Sequence, residues 1–372
     1  MDGRVLIAGG GIAGLAAAQA LHQRGIAAVV VDRLAGPPDA GLAVNLPGNA
    51  IQALQALGLG EAIASVGTPT RRREYRTARG RLLFAVDEDA FWGEAARPRC
   101  VRRADLLDLL GRGLPAETVR WNSAVTTVRP GDRDVAVELV DGTVATWDFV
   151  VGADGVSSAV RAGVVGDTAP RAALMSAASW RFMTANPGVE GWTAWSGTGG
   201  TLLLIPVDNG EVYGYASATR GGPVDADAGW LRTAFAGFAD PVPGVIEAVL
   251  ARPASLYHSP VNEVRIPAWS RDRVLLIGDA AHATAPIWAQ GAALAVEDAQ
   301  VLAELLAATP DWGTVGAEFE RRRRGRVTHV QAMTDRLSRA AGMPGWLRNT
   351  ILPVIGPRTY RETYGPLKVP AL

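Results

Sequence analysis

The chain has one cysteine, Cys100, in 372 residues. That excludes internal disulfides and any cysteine-based metal cluster. Its four histidines (His22, His258, His282, His329) are scattered without metal-ligand spacing, so no zinc or iron centre is expected. Lysine is almost missing: Lys368 stands alone, and every other basic residue is arginine. No lysine in the body of the chain is available as a nucleophile or Schiff base. Net charge is absent as well, with 37 basic and 37 acidic residues, so no global field draws in nucleic acid or an anionic membrane. No apolar run approaches the roughly 18 residues of a membrane span. The N-terminus enters a strand pattern within a few residues, so no signal peptide is expected. The expectation is a cytoplasmic protein, monomer or homodimer, with no nucleic-acid or membrane partner.

What is present is apolar residues, at 48%, with 43 glycines and 23 prolines spread throughout. That composition fits an α/β protein, and the length permits two or three domains. The run Val5-Leu6-Ile7-Ala8 reads as a buried parallel strand, and Gly9-Gly10-Gly11-Ile12-Ala13-Gly14 follows it directly. Ala13–Arg24 has helical spacing with Gly25 as a stop, and Ala28–Val31 is a second strand ending on Asp32-Arg33. This complete βαβ unit makes the glycine pattern a dinucleotide site. Gly9 permits the tight turn, Gly11 the approach of a pyrophosphate, and Gly14 close packing of helix on strand. Asp32 is placed to accept from a ribose hydroxyl.

Far downstream, Arg273–Ile277 reads as another buried strand, running into Gly278-Asp279-Ala280-Ala281-His282, then Pro286 and Gln290-Gly291-Ala292. A carboxylate where a strand stops suits a polyol chain. The helix start at Gly291 offers amides to negative charge, as on a reduced flavin. Together the two cradles point to FAD held between both ends of the chain. A third segment, Phe149–Ser158, runs from a strand into Asp154-Gly155 and reads as a helix-capping turn.

Between these lie a helix over Gly48–Ala64, strands around the turn at Ala78–Arg81, a helix over Arg103–Leu110 and β-alternation from Trp121 to Val151. Arg171–Pro260 carries four strand patterns expected to be antiparallel and one helix over Ala228–Phe238. The fold class that follows is α/β: a discontinuous Rossmann-like FAD-binding domain (1–70, 97–165 and 270–330) with an inserted, mainly antiparallel β-sheet substrate domain (71–96 and 166–269). A C-terminal helical segment (331–372) is expected on the outside.

The three motifs, in this order and spacing, resemble the single-component FAD-dependent monooxygenases of the p-hydroxybenzoate hydroxylase type. The resemblance covers most of the chain and is least specific over Arg171–Pro260. It implies NAD(P)H as a transient co-substrate, O2, and a flavin C4a-hydroperoxide that hydroxylates, epoxidises or inserts oxygen into an aromatic or polycyclic small molecule. It further implies that Gly9, Gly11, Ile12, Ala13 and Gly14 hold the pyrophosphate, Asp32 and Arg33 the adenosine end, and Gly278 and Asp279 the ribityl chain. Gly291 and Ala292 would meet the isoalloxazine. Val44, in the loop Gly41–Leu46, would lie beside the flavin. Arg103 matches a cofactor-contacting arginine, and Asp154 a motif shared by FAD and NAD(P)H. One departure stands out: the family's Gly-Gln-Gly is here Ala289-Gln290-Gly291, and an alanine fits only if φ at 289 is negative.

The cofactor carries the oxygen chemistry, so no catalytic acid or base is required, and catalytic residues remain unassigned. Arg181 is a candidate to hold a phenolate or carboxylate. Trp192, Trp195, Tyr213, Tyr215 and Trp288 are candidates for an aromatic wall, with core packing the default. His282 reads as a structural hydrogen bonder. Arg71–Arg73 are candidates for an NADPH phosphate, and Arg321–Arg324 read as a solvated helix face. Two other functions fit the same residues: an FAD oxidoreductase that inserts no oxygen, and a non-catalytic flavoprotein that sequesters a small molecule.

Overall fold

In the computed structural model, residues 4–37, 42–166, 171–172, 176–219, 224–341 and 343–371 are described. Gly41, at the start of the expected flavin-side loop, lies outside them. Four apolar residues in a row leave Val5–Ala8 no face to turn to water, so it must be covered on both sides. It occupies the middle of a six-stranded sheet ordered Ser270–Arg271, Val274–Leu276, Phe149–Gly152, Val5–Ala8, Ala28–Val31, Val119–Arg120. All neighbours are parallel except the Ser270–Arg271 edge. Three distant stretches of chain therefore build one sheet. Helix Ile12–His22 packs against helices Gly291–Ala308 and Arg103–Gly111. Its fully buried Ala16, Ala17 and Ala20 let those neighbours come close.

A seven-stranded sheet is ordered Tyr257–Pro260, Ala178–Ala185, Glu211–Ser217, Thr201–Pro206, Trp192–Ser196, Arg72–Thr77, Leu82–Asp87. One face packs on helices Gly229–Phe235 and Val242–Leu250 through Phe182, Trp195, Leu202 and Leu204. Smaller antiparallel sheets join Val125–Pro130, Val135–Leu139 and Val144–Trp147, and join Ala43–Leu46, Arg99–Arg102 and Thr68–Pro69.

Several expectations change. The helix expected over Gly48–Ala64 is two, Gly48–Ala56 and Gly60–Ala64, broken where Gly58 takes φ +72°. Strand Trp192–Ser196 pairs in parallel with Arg72–Thr77, because its partner arrives from a distant hairpin rather than through a tight turn. Val242–Leu250 is a second helix in the middle region. The C-terminal helices Val315–Ala340 and Gly345–Tyr364 are not merely external: Tyr360 and Tyr364 are buried, and Gly356 lies on the Phe84 ring.

Candidate cofactor and substrate cleft

The first glycine turn is built by exclusion. A Cβ on Gly9 would lie 2.4 Å from the Ala153 carbonyl oxygen, and one on Gly14 would lie 1.8 Å from the Gly9 oxygen. Beside Gly11 the space is open, with the Arg103 guanidinium its nearest neighbour at 3.9 Å. Helix Ile12–His22 starts there with no side-chain cap and no acid in its first turn, so its leading amides and positive end are left for an anion. Ile12 and Ala13 are half-buried in that turn. Asp32 accepts the Gly10 amide at 2.7 Å on one oxygen and the Leu34 amide at 2.9 Å on the other. It is half-buried, with exposed Arg33 beside it.

The second cradle touches the first. Gly278, at φ +56°, would bring a Cβ to 2.9 Å from the Ala13 Cβ. Asp279 is solvent-exposed by area, yet burial pushes its carboxyl up, opposed by His282, Arg103 and Arg181. Both are true of a side chain on the wall of a deep cleft, where surface water reaches it but protein surrounds it. A Cβ on Gly291 would stand 3.8 Å from Asp279 Oδ1. Helix Gly291–Ala308 also begins without a cap or an acid in its first turn, with Ala292 half-buried there. Burial lowers the Arg103 pKa, with Asp279 opposing and Arg181 adding to the fall. Arg103, Arg181 and Asp279 thus lie within electrostatic reach of one another. The Arg103 amide donates to the Leu42 carbonyl at 2.8 Å, which ties it to the half-buried Val44 strand.

Asp154 backs the first turn: its Cα lies 2.9 Å from where a Gly9 Cβ would sit. One carboxylate oxygen accepts the amides of Ala159 at 2.7 Å and Val160 at 3.2 Å. It caps the Val160–Val165 helix.

Behind the second cradle lies a buried charged network. Asp298 accepts from the Gly278 amide at 2.9 Å, from His282 Nε2 at 2.7 Å and from Arg323 Nε at 2.7 Å. Burial opposes its ionisation, but His282, Arg323 and the Gly278 amide outweigh that and hold its carboxyl below the usual range. Arg323 also pairs with Glu297 at 2.9 Å, and Glu297 with Arg326 at 2.7 Å. Arg323 is 1% exposed, which corrects the reading of Arg321–Arg324 as a solvated face. The spacing held the signal: Phe319, Arg323, Val327, Val330 and Thr334 form the buried stripe of that helix.

Ala289 also departs from expectation. It adopts φ +53°, ψ 35°, the left-handed region, which costs a residue with a Cβ about 1–2 kcal/mol. Trp288 before it is buried. The candidate phosphate contact Arg71–Arg73 loses its third member: Arg73 is 1% exposed, paired with buried Glu88 and stacked over Trp192, Tyr360 and Tyr364. Arg72 pairs with Glu74 at 2.8 Å.

The other face of the seven-stranded sheet carries the substrate-side candidates. Register aligns Tyr257, Arg181, Tyr215, Leu203, Ala194, Tyr75 and Phe84 in one row across the strands. Met183, Tyr213 and Ile205 follow in the next row, and Trp192 packs with them beside Ala43 and Cys100 of the neighbouring sheet. Trp195, three residues from Trp192, faces the helices instead and leaves the aromatic wall. Arg181 is half-buried and forms no ion pair or hydrogen bond among the described residues. Burial pushes the Tyr213 and Tyr215 hydroxyls up, opposed by Arg181, so both stay protonated at neutral pH.

Two uncapped helix starts, an open glycine shelf and a carboxylate on the cleft wall fit a long dinucleotide. A family model described as FAD binding domain matches residues 2–335. The chain belongs to the class A flavin-dependent aromatic hydroxylases. This hydroxylase is an FAD-dependent monooxygenase. It is 32% identical over 314 residues to the aurachin C monooxygenase/isomerase of Stigmatella aurantiaca, covering 81% of this chain and 80% of that one. It is 30% identical over 369 residues to the 2-heptyl-3-hydroxy-4(1H)-quinolone synthase of Pseudomonas aeruginosa, covering 94% of each. The crystal structure of Klebsiella pneumoniae HpxO complexed with FAD and uric acid superposes with a TM-score of 0.82 at 27% identity, over 98% of this chain and 92% of that one. Among the described residues, no helix is long and apolar enough to cross a membrane, and no His, Cys, Asp and Glu cluster could hold a metal.

Proposed function

We propose that FAD lies along the two cradles and that the substrate, a planar aromatic or heteroaromatic anion, lies on the open face of the seven-stranded sheet. In this reading residues 1–70, 97–165 and 270–330 form the FAD-binding domain. Residues 71–96 and 166–269 form the substrate domain, and 331–372 the C-terminal helical segment. The shared sheet of Arg72–Asp87 with the later strands supports that division.

Gly9, Gly11, Ile12, Ala13 and Gly14 would hold the pyrophosphate, with Arg103 nearby. Asp32 and Arg33 would hold the adenosine ribose, Gly278 and Asp279 the ribityl chain. Gly291 and Ala292 would meet the isoalloxazine beside Val44, while Asp154 steadies the turn behind. Once bound and reduced by NAD(P)H, FAD supplies the activation of O2. The protein's own part is to orient the substrate and keep water out. Leu203, Ala194, Tyr75 and Trp192 offer an apolar wall, and protonated Tyr213 and Tyr215 offer donors.

The observation that carries the substrate class is Arg181: a half-buried cation with no side-chain partner among the described residues, on an aromatic surface, within electrostatic reach of Arg103 and one carboxylate. Such a charge favours an anionic ligand, and HpxO was crystallised with uric acid. A hydrogen bond to a charged group contributes about 1.5–3 kcal/mol, or roughly 10- to 100-fold in affinity. The test titrates FAD-loaded protein with salicylate, uric acid and neutral salicylamide, reading the flavin absorbance, then follows NAD(P)H oxidation under labelled O2. At least one anion should bind tightly and carry label into product, and Arg181→Gln should lose that affinity while keeping FAD. Salicylamide binding as well as both anions, or an Arg181→Gln variant with undiminished anion affinity, rejects the anion reading.

A further inference from the structure

The left-handed Ala289 turn is clamped from both sides. After it, Gln290 and Asn49 exchange side-chain hydrogen bonds at 3.0 and 3.1 Å, and Asn49 also donates to Glu297 at 2.9 Å. Before it, the Trp288 carbonyl accepts the Tyr364 hydroxyl at 2.7 Å, and the Trp288 and Tyr364 rings meet edge-on with centroids 5.8 Å apart. The Trp288 indole N–H has no partner among the described residues, so that hydroxyl is the polar contact found for the side of the loop that Tyr364 faces. Tyr364 is itself fixed. Arg73 Nη1 donates to its oxygen at 3.4 Å, Arg73 is paired with Glu88, and Tyr360 donates to Glu88 at 2.5 Å. Tyr364 belongs to the Gly345–Tyr364 helix, which lies beyond residues 2–335 matched by the family model.

Strained backbone persists only where its surroundings over-determine it. We propose that the C-terminal helix is a clamp on the flavin-side loop, with Tyr364 as a positioning residue. Its hydroxyl holds the Trp288 carbonyl so that Ala289 keeps its left-handed turn and the amides of Gly291 and Ala292 keep their aim. This rests on the reading of that loop as the flavin-side loop. A glycine at 289 needs no clamp, since it takes the same φ without strain. Tyr364 and Ala289 must therefore be energetically coupled.

The experiment compares wild type, Tyr364→Phe, Ala289→Gly and the double variant. FAD affinity is measured by fluorescence titration of FAD-free protein, the flavin potential by dye-coupled reduction, and melting with and without FAD. Tyr364→Phe is expected to weaken FAD about five- to tenfold and shift the potential, Ala289→Gly to be neutral or tighter, and the double variant to regain most of the loss. A flavin effect of Tyr364→Phe that Ala289→Gly fails to recover overturns the clamp. Melting changes with no flavin effect in any variant overturn the flavin-side reading of the loop, and the clamp with it. If Tyr364→Phe alone is insoluble, the double variant decides: a soluble double with wild-type flavin properties supports the coupling, and an insoluble one rejects it.

Discussion

Replacing Asp298 by asparagine tests the network behind the second cradle. The native carboxylate accepts three hydrogen bonds, and asparagine must turn an NH2 toward Arg323 or toward the Gly278 amide and His282. Removing one partner of a buried ion pair costs about 3–5 kcal/mol. Arg323 keeps Glu297 at 2.9 Å, so the lower end, about 3 kcal/mol, applies. At about 2 °C per kcal/mol for a chain of this size, the melting temperature falls by roughly 6 °C. FAD affinity should fall too, because the Gly278 amide loses its anchor one residue before Asp279. The pH dependence has a definite sign. The folded Asp298 pKa is depressed, so its contribution is complete above the unfolded value of about 3.9 and is lost as pH falls through the folded one. Scanning calorimetry of wild type and Asp298→Asn should therefore show the full gap at neutral pH, narrowing below about pH 4. A gap under about 2 °C at pH 7, or one that widens in acid, refutes the reasoning.

Two further outcomes are expected. Asp279→Ala removes the carboxylate from the cleft wall, and losing a charge-assisted hydrogen bond to a ligand should weaken FAD about 10- to 100-fold; unchanged retention on gel filtration contradicts the placement. Trp195→Ala empties a packed site between sheet and helices at a cost of about 3–5 kcal/mol, while KM for the substrate stays put because the ring faces away from the cleft. A changed KM with unchanged melting reverses the assignment of the two sheet faces.

Local chemistry was legible where it is written in consecutive residues. The Gly9–Gly14 turn, the strand into Gly278-Asp279 and the Asp154 cap each depend on backbone conformations and amides within one short segment. Strand alternation was also readable, yet Trp195 was grouped with Trp192 in one aromatic wall, although an odd spacing along a strand puts the two rings on opposite faces. Arg323 was misread because four consecutive arginines look like surface until the apolar period through Phe319 and Val327 is laid over them. Arg73 gave no such sign. Its partners Glu88, Trp192, Tyr360 and Tyr364 come from three elements far apart in the chain.

Sequence alone determined the pair of cradles, and with them a candidate FAD site between both ends of the chain, because glycine positions and strand–helix junctions are local. Tertiary structure decided what surrounds that site. It put Arg181, without a side-chain partner among the described residues, within electrostatic reach of Asp279, buried Asp298 and Arg323 behind Gly278, and carried Tyr364 from the last helix to the Trp288 carbonyl. It also set Ala289 left-handed, against the local preference of its Cβ. Each of these rests on side chains far apart in sequence meeting in a desolvated interior, where an unmatched charge or carbonyl is costly and its partner can come from any part of the chain.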